Sequence, residues 1–538
     1  MQAGQSFPRR QAVLAMLILV GVLIFVRAPA LRIDILNEDE ALYAATAAAM
    51  QSGQPMYRAG VESKPPGIFY LYKWGFDLIG RYHLKALHAL TILWVLATGL
   101  FVGRLAARAR GCTNGPLSTW GAPFVAALLY YVFTTVQQPP VLATQCELLF
   151  SLPLAIAAWL LLAAAPDDRR RAWWGVVLAG ALCGAATLIK PVAVSLLGAA
   201  TLWLLFVRTR WAGDSLHRAI GRTLALWLGF GLAWLAVGSY MAKLGVWNDL
   251  VYWTFKWTIS KYIPAGTIHS PWLRRFASFL LWVGVTVALW LPAVVAATRA
   301  ARARRQAGGA RTSDATAATV LLTLWAVAAL AILFLGGRFF DHYFPAVIPP
   351  LAALAAVAIV SGMHRRWQAL IAAGTVIPGL LCAFAAWHFE AAMRVFKDER
   401  QPYQEISDYV REHTQPNERV FVWGYFPLIY VGANRLPASR FVGCHYLTGY
   451  AAVGLGLELP EAVEDSLGVE GGCDTLLAEL SEQRPVLFVD TAPADLHHWR
   501  RYPLSRYPRL LTFVQTNYQE VATVQEAVIY RRRDITGL

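Results

Sequence analysis

Gln11 to Val26 (QAVLAMLILVGVLIFV) is a long apolar run, and Asn37-Glu38-Asp39-Glu40 follows just beyond its end. The run reads as a membrane-spanning helix, and the acids then sit at its mouth. Three carboxylates there repel one another, and the hydrocarbon edge solvates all of them poorly. Such groups persist in that position where they do chemistry or bind a cation. Glu40 to Met50 (EALYAATAAAM) is Ala-rich and helix-favouring, with Gly53 suited to terminate it. Glu62-Ser63-Lys64-Pro65-Pro66-Gly67 comes next, and Ile68 to Leu78 (IFYLYKWGFDL) is aromatic enough for the interfacial belt. Acid cluster, short helix and Lys-Pro-Pro turn thus share one long first loop, residues 32–85.

Working outward, the chain of 538 residues is 57% hydrophobic and only 15% charged, with a mean hydropathy of +0.44. Soluble domains average roughly a quarter charged residues. The composition therefore gives an α-helical polytopic membrane protein. Spanning ~30 Å of hydrocarbon takes about 20 mainly apolar residues. About eleven segments meet that need: 11–27, 84–104, 121–138, 141–164, 172–189, 192–208, 219–243, 277–298, 316–336, 344–362 and 368–389. The first is expected to be retained rather than cleaved. Its apolar run is too long for a signal peptide, although Arg27-Ala28-Pro29-Ala30 imitates a cleavage site.

The net charge of +15 is not a nucleic-acid signal, because the cations fall in every second loop. Arg9/Arg10, Arg104/Arg108/Arg110, Arg169/Arg170/Arg171, Arg208/Arg210/Arg218/Arg222, Arg299 to Arg311 and Arg365/Arg366 follow the positive-inside pattern. That pattern puts the amino terminus in the cytoplasm, and an odd number of spans puts the tail outside. A second external loop, 243–275, interleaves tryptophans and tyrosines with lysines and arginines, which suits headgroup depth.

Two domains are expected: a transmembrane catalytic domain, 1–395, and a small extracytoplasmic α/β domain, 396–538. In the latter, Pro402 to Glu412 reads as an amphipathic helix, Arg419 to Trp423 and Val486 to Asp490 as buried strands, and Asp474 to Glu482 as a helix between them. Leu511 to Gln515 and Ala527 to Arg531 are expected to add a terminal strand pair. No glycine-rich phosphate fingerprint follows either buried strand, which argues against nucleotide binding. Cys444 and Cys473 both lie on the oxidising side, and their pairing is left open.

Nucleotide-activated sugars are generally absent outside a bacterial inner membrane. A group transferred there arrives already activated, commonly on a lipid phosphate. A carboxylate then deprotonates an acceptor hydroxyl while Lys or Arg stabilises the departing phosphate. Asp39-Glu40-Ala41-Leu42-Tyr43-Ala44 followed by Glu62-Ser63-Lys64-Pro65-Pro66 resembles the first loop of membrane glycosyltransferases of the GT-C fold. The nearest groups are the protein O-mannosyltransferases and the lipid A aminoarabinose transferase, a family 39-like set. Further similar stretches are Thr144-Gln145-Cys146-Glu147, Gly184 to Lys190 (GAATLIK), and Gly336-Gly337-Arg338 through His342-Tyr343-Phe344-Pro345. In the tail they are Val422-Trp423-Gly424, Tyr430 and Pro437-Ala438-Ser439-Arg440.

The resemblance implies an inverting enzyme with a polyprenyl-phosphate-linked sugar as donor and a lipid, glycan or protein as acceptor, in a bacterial inner membrane. It implies that Asp39 is the base activating the acceptor, with Glu40 orienting it or binding acceptor. Lys64 corresponds to the lysine that meets the donor phosphate, and Glu147 to a second acidic position. Arg338, a planar fork after two glycines, is the candidate second phosphate ligand, with Tyr343 and His342 beside it. Lys190 is external by topology. Plainer readings stand beside these: a helix N-cap for Asp39, an interfacial snorkel for Lys64, a helix-end charge for Glu147, an ion pair for Arg338, a helix break at Lys190-Pro191. A divalent cation is left open, with Glu62 and His269 or His342 as the residues to hold it. The competing class is a glycolipid transporter or flippase, whose cargo site belongs at mid-membrane; an O-antigen-ligase-like enzyme shares the donor but leaves the Asp-Glu motif unexplained.

Overall fold

The structure, a computed structural model, describes residues 9–111, 121–137, 139–163, 169–211, 213–268, 272–308, 311–336, 340–389, 400–453 and 459–534. Among the described residues, nine helices are long and apolar enough to cross a membrane: Arg10–Leu31, Leu84–Arg110, Cys146–Ala163, Ala172–Ile189, Pro191–Arg210, Leu216–Lys243, Asp314–Leu335, His342–Val360 and Arg365–Trp387. The chain is a multi-span membrane protein. Two of the eleven expected spans differ. The 121–138 segment holds the shorter helix Ala122–Phe133. The 277–298 segment is a bent pair, Phe276–Val285 and Val287–Gln306, at 81°. The break falls at Thr286, which leaves helical geometry (φ −106°, ψ 16°). Its hydroxyl bonds the Trp282 carbonyl and receives the Trp290 indole N–H, replacing part of the interrupted ladder.

The chain divides into two compact units. One comprises residues 1–33, 88–238 and 272–389, and most of the spanning helices run in it. Within it, 78% of the apolar stretch of His342–Val360 is buried, against 28% of that of Arg365–Trp387, which is exposed on most sides. Leu370, Leu381 and Phe384 are accordingly exposed. Small residues set the closest approach of two helices. A Cβ on Gly180 would stand 1.9 Å from the Leu226 carbonyl oxygen, and one on Gly229 would stand 1.9 Å from that of Val177. Gly184 of the GAATLIK stretch lies in the same contact, against Phe230 and Ala233.

The second unit comprises residues 34–87, 239–271 and 390–538. Its first-loop helices are Glu38–Gln51 and Gly67–Ile79, close to expectation. The second loop forms Trp247–Val251 and then a wider π-helix, Tyr252–Tyr262. The tail carries a five-stranded sheet made of β1 (Arg419–Trp423), β2 (Leu436–Pro437), β3 (Leu487–Asp490), β4 (Tyr518–Val524) and β5 (Ala527–Arg532), in the order β2-β1-β3-β5-β4. β1 pairs in parallel with β2 and β3, while β5 closes antiparallel on β3 and on β4. β1, buried from Val420 to Trp423, and the fully buried β3 are read correctly as buried strands. The 511–515 segment does not form a strand: it lies inside the helix Pro508–Asn517, where Leu510 and Val514 at i, i+4 are the buried residues. Cys444 and Cys473 are both free thiols. Cys444 is buried, donates weakly to the Val422 carbonyl at 3.4 Å, and is pushed up to about 12 by that burial.

Candidate functional site

The acidic run begins the helix Glu38–Gln51, and Asn37, not Asp39, caps it. The Asn37 side chain accepts from the Glu40 N–H at 2.8 Å, and the Glu40 carboxylate accepts from the Leu36 N–H at 3.1 Å. Glu40 thus ties the helix start to the residue before its cap, and it is completely buried. With the cap satisfied by its neighbours, Asp39 points elsewhere. Its Oδ1 accepts from the Tyr425 hydroxyl at 3.2 Å and its Oδ2 from the Tyr43 hydroxyl at 3.4 Å. Burial, then the nearby Asp39, Glu62 and Glu38 carboxylates, push the Tyr425 phenol well above its ordinary range. It therefore stays protonated and remains a donor.

The Glu62-Ser63-Lys64 turn lies beside the same tyrosine. Lys64 Nζ sits over the Tyr43 ring, 5.2 Å from its centre, and 3.4 Å from Glu62 Oε1. Glu62 is 3% exposed. Its Oε1 also accepts from the Tyr446 hydroxyl at 2.6 Å, the Ser63 N–H at 2.8 Å and the Ser63 hydroxyl at 3.0 Å. Burial alone would push this carboxyl up. Lys64, His445 and the Tyr446 bond together outweigh it and hold Glu62 below the usual carboxylate value. The turn is fastened from behind, where the Val61 N–H donates to the Arg440 carbonyl at 2.9 Å. Tyr57, at φ 70°, donates its hydroxyl to the Lys64 carbonyl at 3.2 Å.

Four tail residues complete this cluster, and the sequence reading singled out none of them. Tyr425 follows directly on the quoted Val422-Trp423-Gly424, and Tyr446 reaches Glu62. His445 is buried, its ring centred 4.2 Å from that of Tyr425. Burial lowers it to about 4 despite the facing Glu62 carboxylate, so it is neutral at pH 7. His497, at φ 56°, brings Nδ1 to 4.0 Å from Glu38 Oε1, and burial lowers it as well. A His or Tyr in a mixed α/β segment carries no periodic signal; the nearest hint was position, one residue past the Trp-Gly pair.

In the other unit, three separated stretches converge. Glu147 begins the helix Cys146–Ala163, and its Oε1 meets Lys190 Nζ at 2.5 Å. Lys190 ends the helix Arg169–Ile189 before Pro191, and its Nζ lies 3.9 Å from the centre of the Tyr343 ring. His342 packs edge-on against Tyr343 at 4.7 Å. Glu147 Oε2 is buried without a hydrogen-bond partner among the described residues. Arg338 and His269 lie outside the described residues. Among the described residues no group of three or more His, Cys, Asp or Glu side chains could hold a metal ion.

Residues 63–234 match the family described as dolichyl-phosphate-mannose-protein mannosyltransferase. No curated protein matches the sequence at a significant level. Among solved structures, the chain is similar to ArnT from Cupriavidus metallidurans bound to undecaprenyl phosphate, at 15% identity and a TM-score of 0.57, over 96% of this chain and 97% of that one. It is also similar to the archaeal oligosaccharyltransferase AglB from Archaeoglobus fulgidus in complex with an inhibitory peptide and a dolichol-phosphate, at 11% identity and a TM-score of 0.54, over 98% of this chain and 75% of that one. The fold is the GT-C fold, a bundle of spanning helices with a small sheet domain in the tail.

Proposed function

We propose that the protein is a membrane glycosyltransferase that moves a sugar from a polyprenyl-phosphate donor to an acceptor hydroxyl outside the cytoplasm, with inversion. The observation that carries this reading is the pair of opposite charges arranged on Tyr43: the Asp39 carboxylate on its hydroxyl and the Lys64 ammonium over its ring. A carboxylate held by two neutral phenol donors is oriented without being neutralised. It accepts the proton of the acceptor hydroxyl as that oxygen bonds to the anomeric carbon of the donor. The bond from that carbon to the phosphate oxygen breaks, and its electron pair leaves with the phosphate. Lys64 offers the compensating positive charge, and Glu62 holds the lysine in place. One displacement with one base gives inversion.

The match to a family named for a dolichyl-phosphate-mannose donor supports a lipid-phosphate donor, as does a neighbour of the same fold bound to undecaprenyl phosphate. The arginine alternation supports a cytoplasmic amino terminus and an external tail, with the acceptor outside. A transporter reading needs a polar site built for passage at mid-membrane. Here the first-loop acids are fastened instead by hydrogen bonds within a single unit.

The test is Asp39→Asn in the purified full-length protein with radiolabelled polyprenyl-phosphate sugars. Loss of a general base costs ~10²–10⁴ in rate, so transfer should vanish while donor binding persists. Near-normal transfer by the folded variant would move the base elsewhere.

A further inference from the structure

A cleft of about 380 Å³ opens in the unit that holds the first loop, lined by Asp249, Tyr252, Trp253, Arg440, Phe441 and Glu470 among others. That volume falls in the lower part of the ~300–1,000 Å³ usual for ligand sites. Two of the lining residues connect the cleft to the acidic loop. The Trp253 ring is 5.2 Å from that of Tyr446, whose hydroxyl bonds Glu62. The Arg440 carbonyl accepts from Val61, the residue before Glu62.

We propose that this cleft holds a saccharide unit of the acceptor, which makes the acceptor a glycan-bearing molecule. The inference rests on the glycosyltransferase reading above. The charged groups are largely paired already, Asp249 with Arg58 at 3.3 Å and Arg440 with Glu479 at 2.5 Å. They present fixed, planar hydrogen-bonding edges rather than a net field of one sign. Sugar hydroxyls, which donate and accept at once, match such edges, while the half-exposed Tyr252 offers a ring face for the C–H side of a pyranose. A phosphate or phosphopeptide would meet Glu470, exposed at the rim, together with Asp249. An apolar peptide side chain would strip water from ion pairs without replacing its hydrogen bonds.

The test uses full-length protein in detergent on an array of bacterial and eukaryotic glycans, beside an array of Ser/Thr peptides. Saccharide binding is expected, weakened roughly tenfold by Glu470→Gln and by Tyr252→Ala. Glu520→Gln, on an exposed position of β4, is the control. Both cleft substitutions lie at exposed or half-exposed positions, and Glu470→Gln alone preserves shape. Binding to no glycan, binding that neither variant weakens, or binding to peptides alone would overturn the proposal. A parallel transfer assay separates the two readings. Variant-sensitive glycan binding without transfer from any polyprenyl-phosphate sugar would sink the enzyme reading and leave the cleft standing. Transfer that both cleft variants perform with unchanged acceptor KM would sink the cleft alone.

Discussion

Replacing Tyr446 by Phe removes one oxygen and little else. The ring keeps its edge contacts with Trp253 and Trp257, at 5.2 and 4.9 Å. What disappears is the shortest of the bonds to Glu62 Oε1, 2.6 Å, leaving the Ser63 N–H and hydroxyl at 2.8 and 3.0 Å and Lys64 at 3.4 Å. A hydrogen bond to a buried charge contributes about 1.5–3 kcal/mol. The Ser63 N–H loses one of its two acceptors but keeps Glu62, so no donor is orphaned. The expected loss of stability at pH 7 is therefore about 1.5–3 kcal/mol. Its sign with pH follows from the direction of the Glu62 shift. The folded carboxyl lies below its ordinary value of 4.5, so the contribution is fully present above that value. It fades as pH falls through the folded pKa. Unfolding of the wild type and Tyr446→Phe in detergent, followed by tryptophan fluorescence from pH 7 to pH 3, should show a gap that narrows only below 4.5. Equal midpoints at pH 7, or a gap of constant size into acid, would refute the account of Glu62 as a buried carboxylate held charged by the tail.

Three further outcomes are expected. Glu147→Gln or Lys190→Met alone should cost ~3–5 kcal/mol by leaving one member of a buried pair uncompensated, with the double variant costing much less than their sum; additive losses in thermal unfolding would show that the 2.5 Å contact does not couple them. Lys64→Ala should weaken donor binding by ~1.5–3 kcal/mol and Lys64→Arg less, measured by titrating folded protein in detergent with polyprenyl phosphate; unchanged affinity in Lys64→Ala would remove the lysine from the phosphate site. Reporter fusions at Gly308 and Gly471 should report opposite sides of the membrane, cytoplasmic and external respectively, and the same side for both would end the proposed topology.

Composition and local pattern determined the membrane class, most of the spans, the first-loop helices and the two buried strands. Each of these depends on a short window: apolar length against hydrocarbon thickness, alanine content against helix propensity, β-branched runs against burial. Where a window held competing signals, the local reading erred. Leu511 to Gln515 resembled a strand, yet the i, i+4 spacing of Leu510 and Val514 packs as a helix. Residues 277–298 are apolar throughout, but Thr286 diverts the backbone. The charged residues of the candidate site were visible for a similar reason. Asp39, Glu62 and Lys64 stand out because charge beside a membrane span is costly and rarely idle.

The partners that hold those groups lie hundreds of residues away. Asn37 and Glu40 satisfy the helix start between them, while Asp39 accepts from Tyr425, 386 residues further along the chain. Tyr446 reaches Glu62 across 384. Hydrogen bonds of this kind have no period and no spacing, since their geometry exists only once β1 and the turns after it have folded against the first loop. A carboxylate's presence can be read from one dimension, whereas its burial, its donors and hence its protonation state are properties of the packed interior.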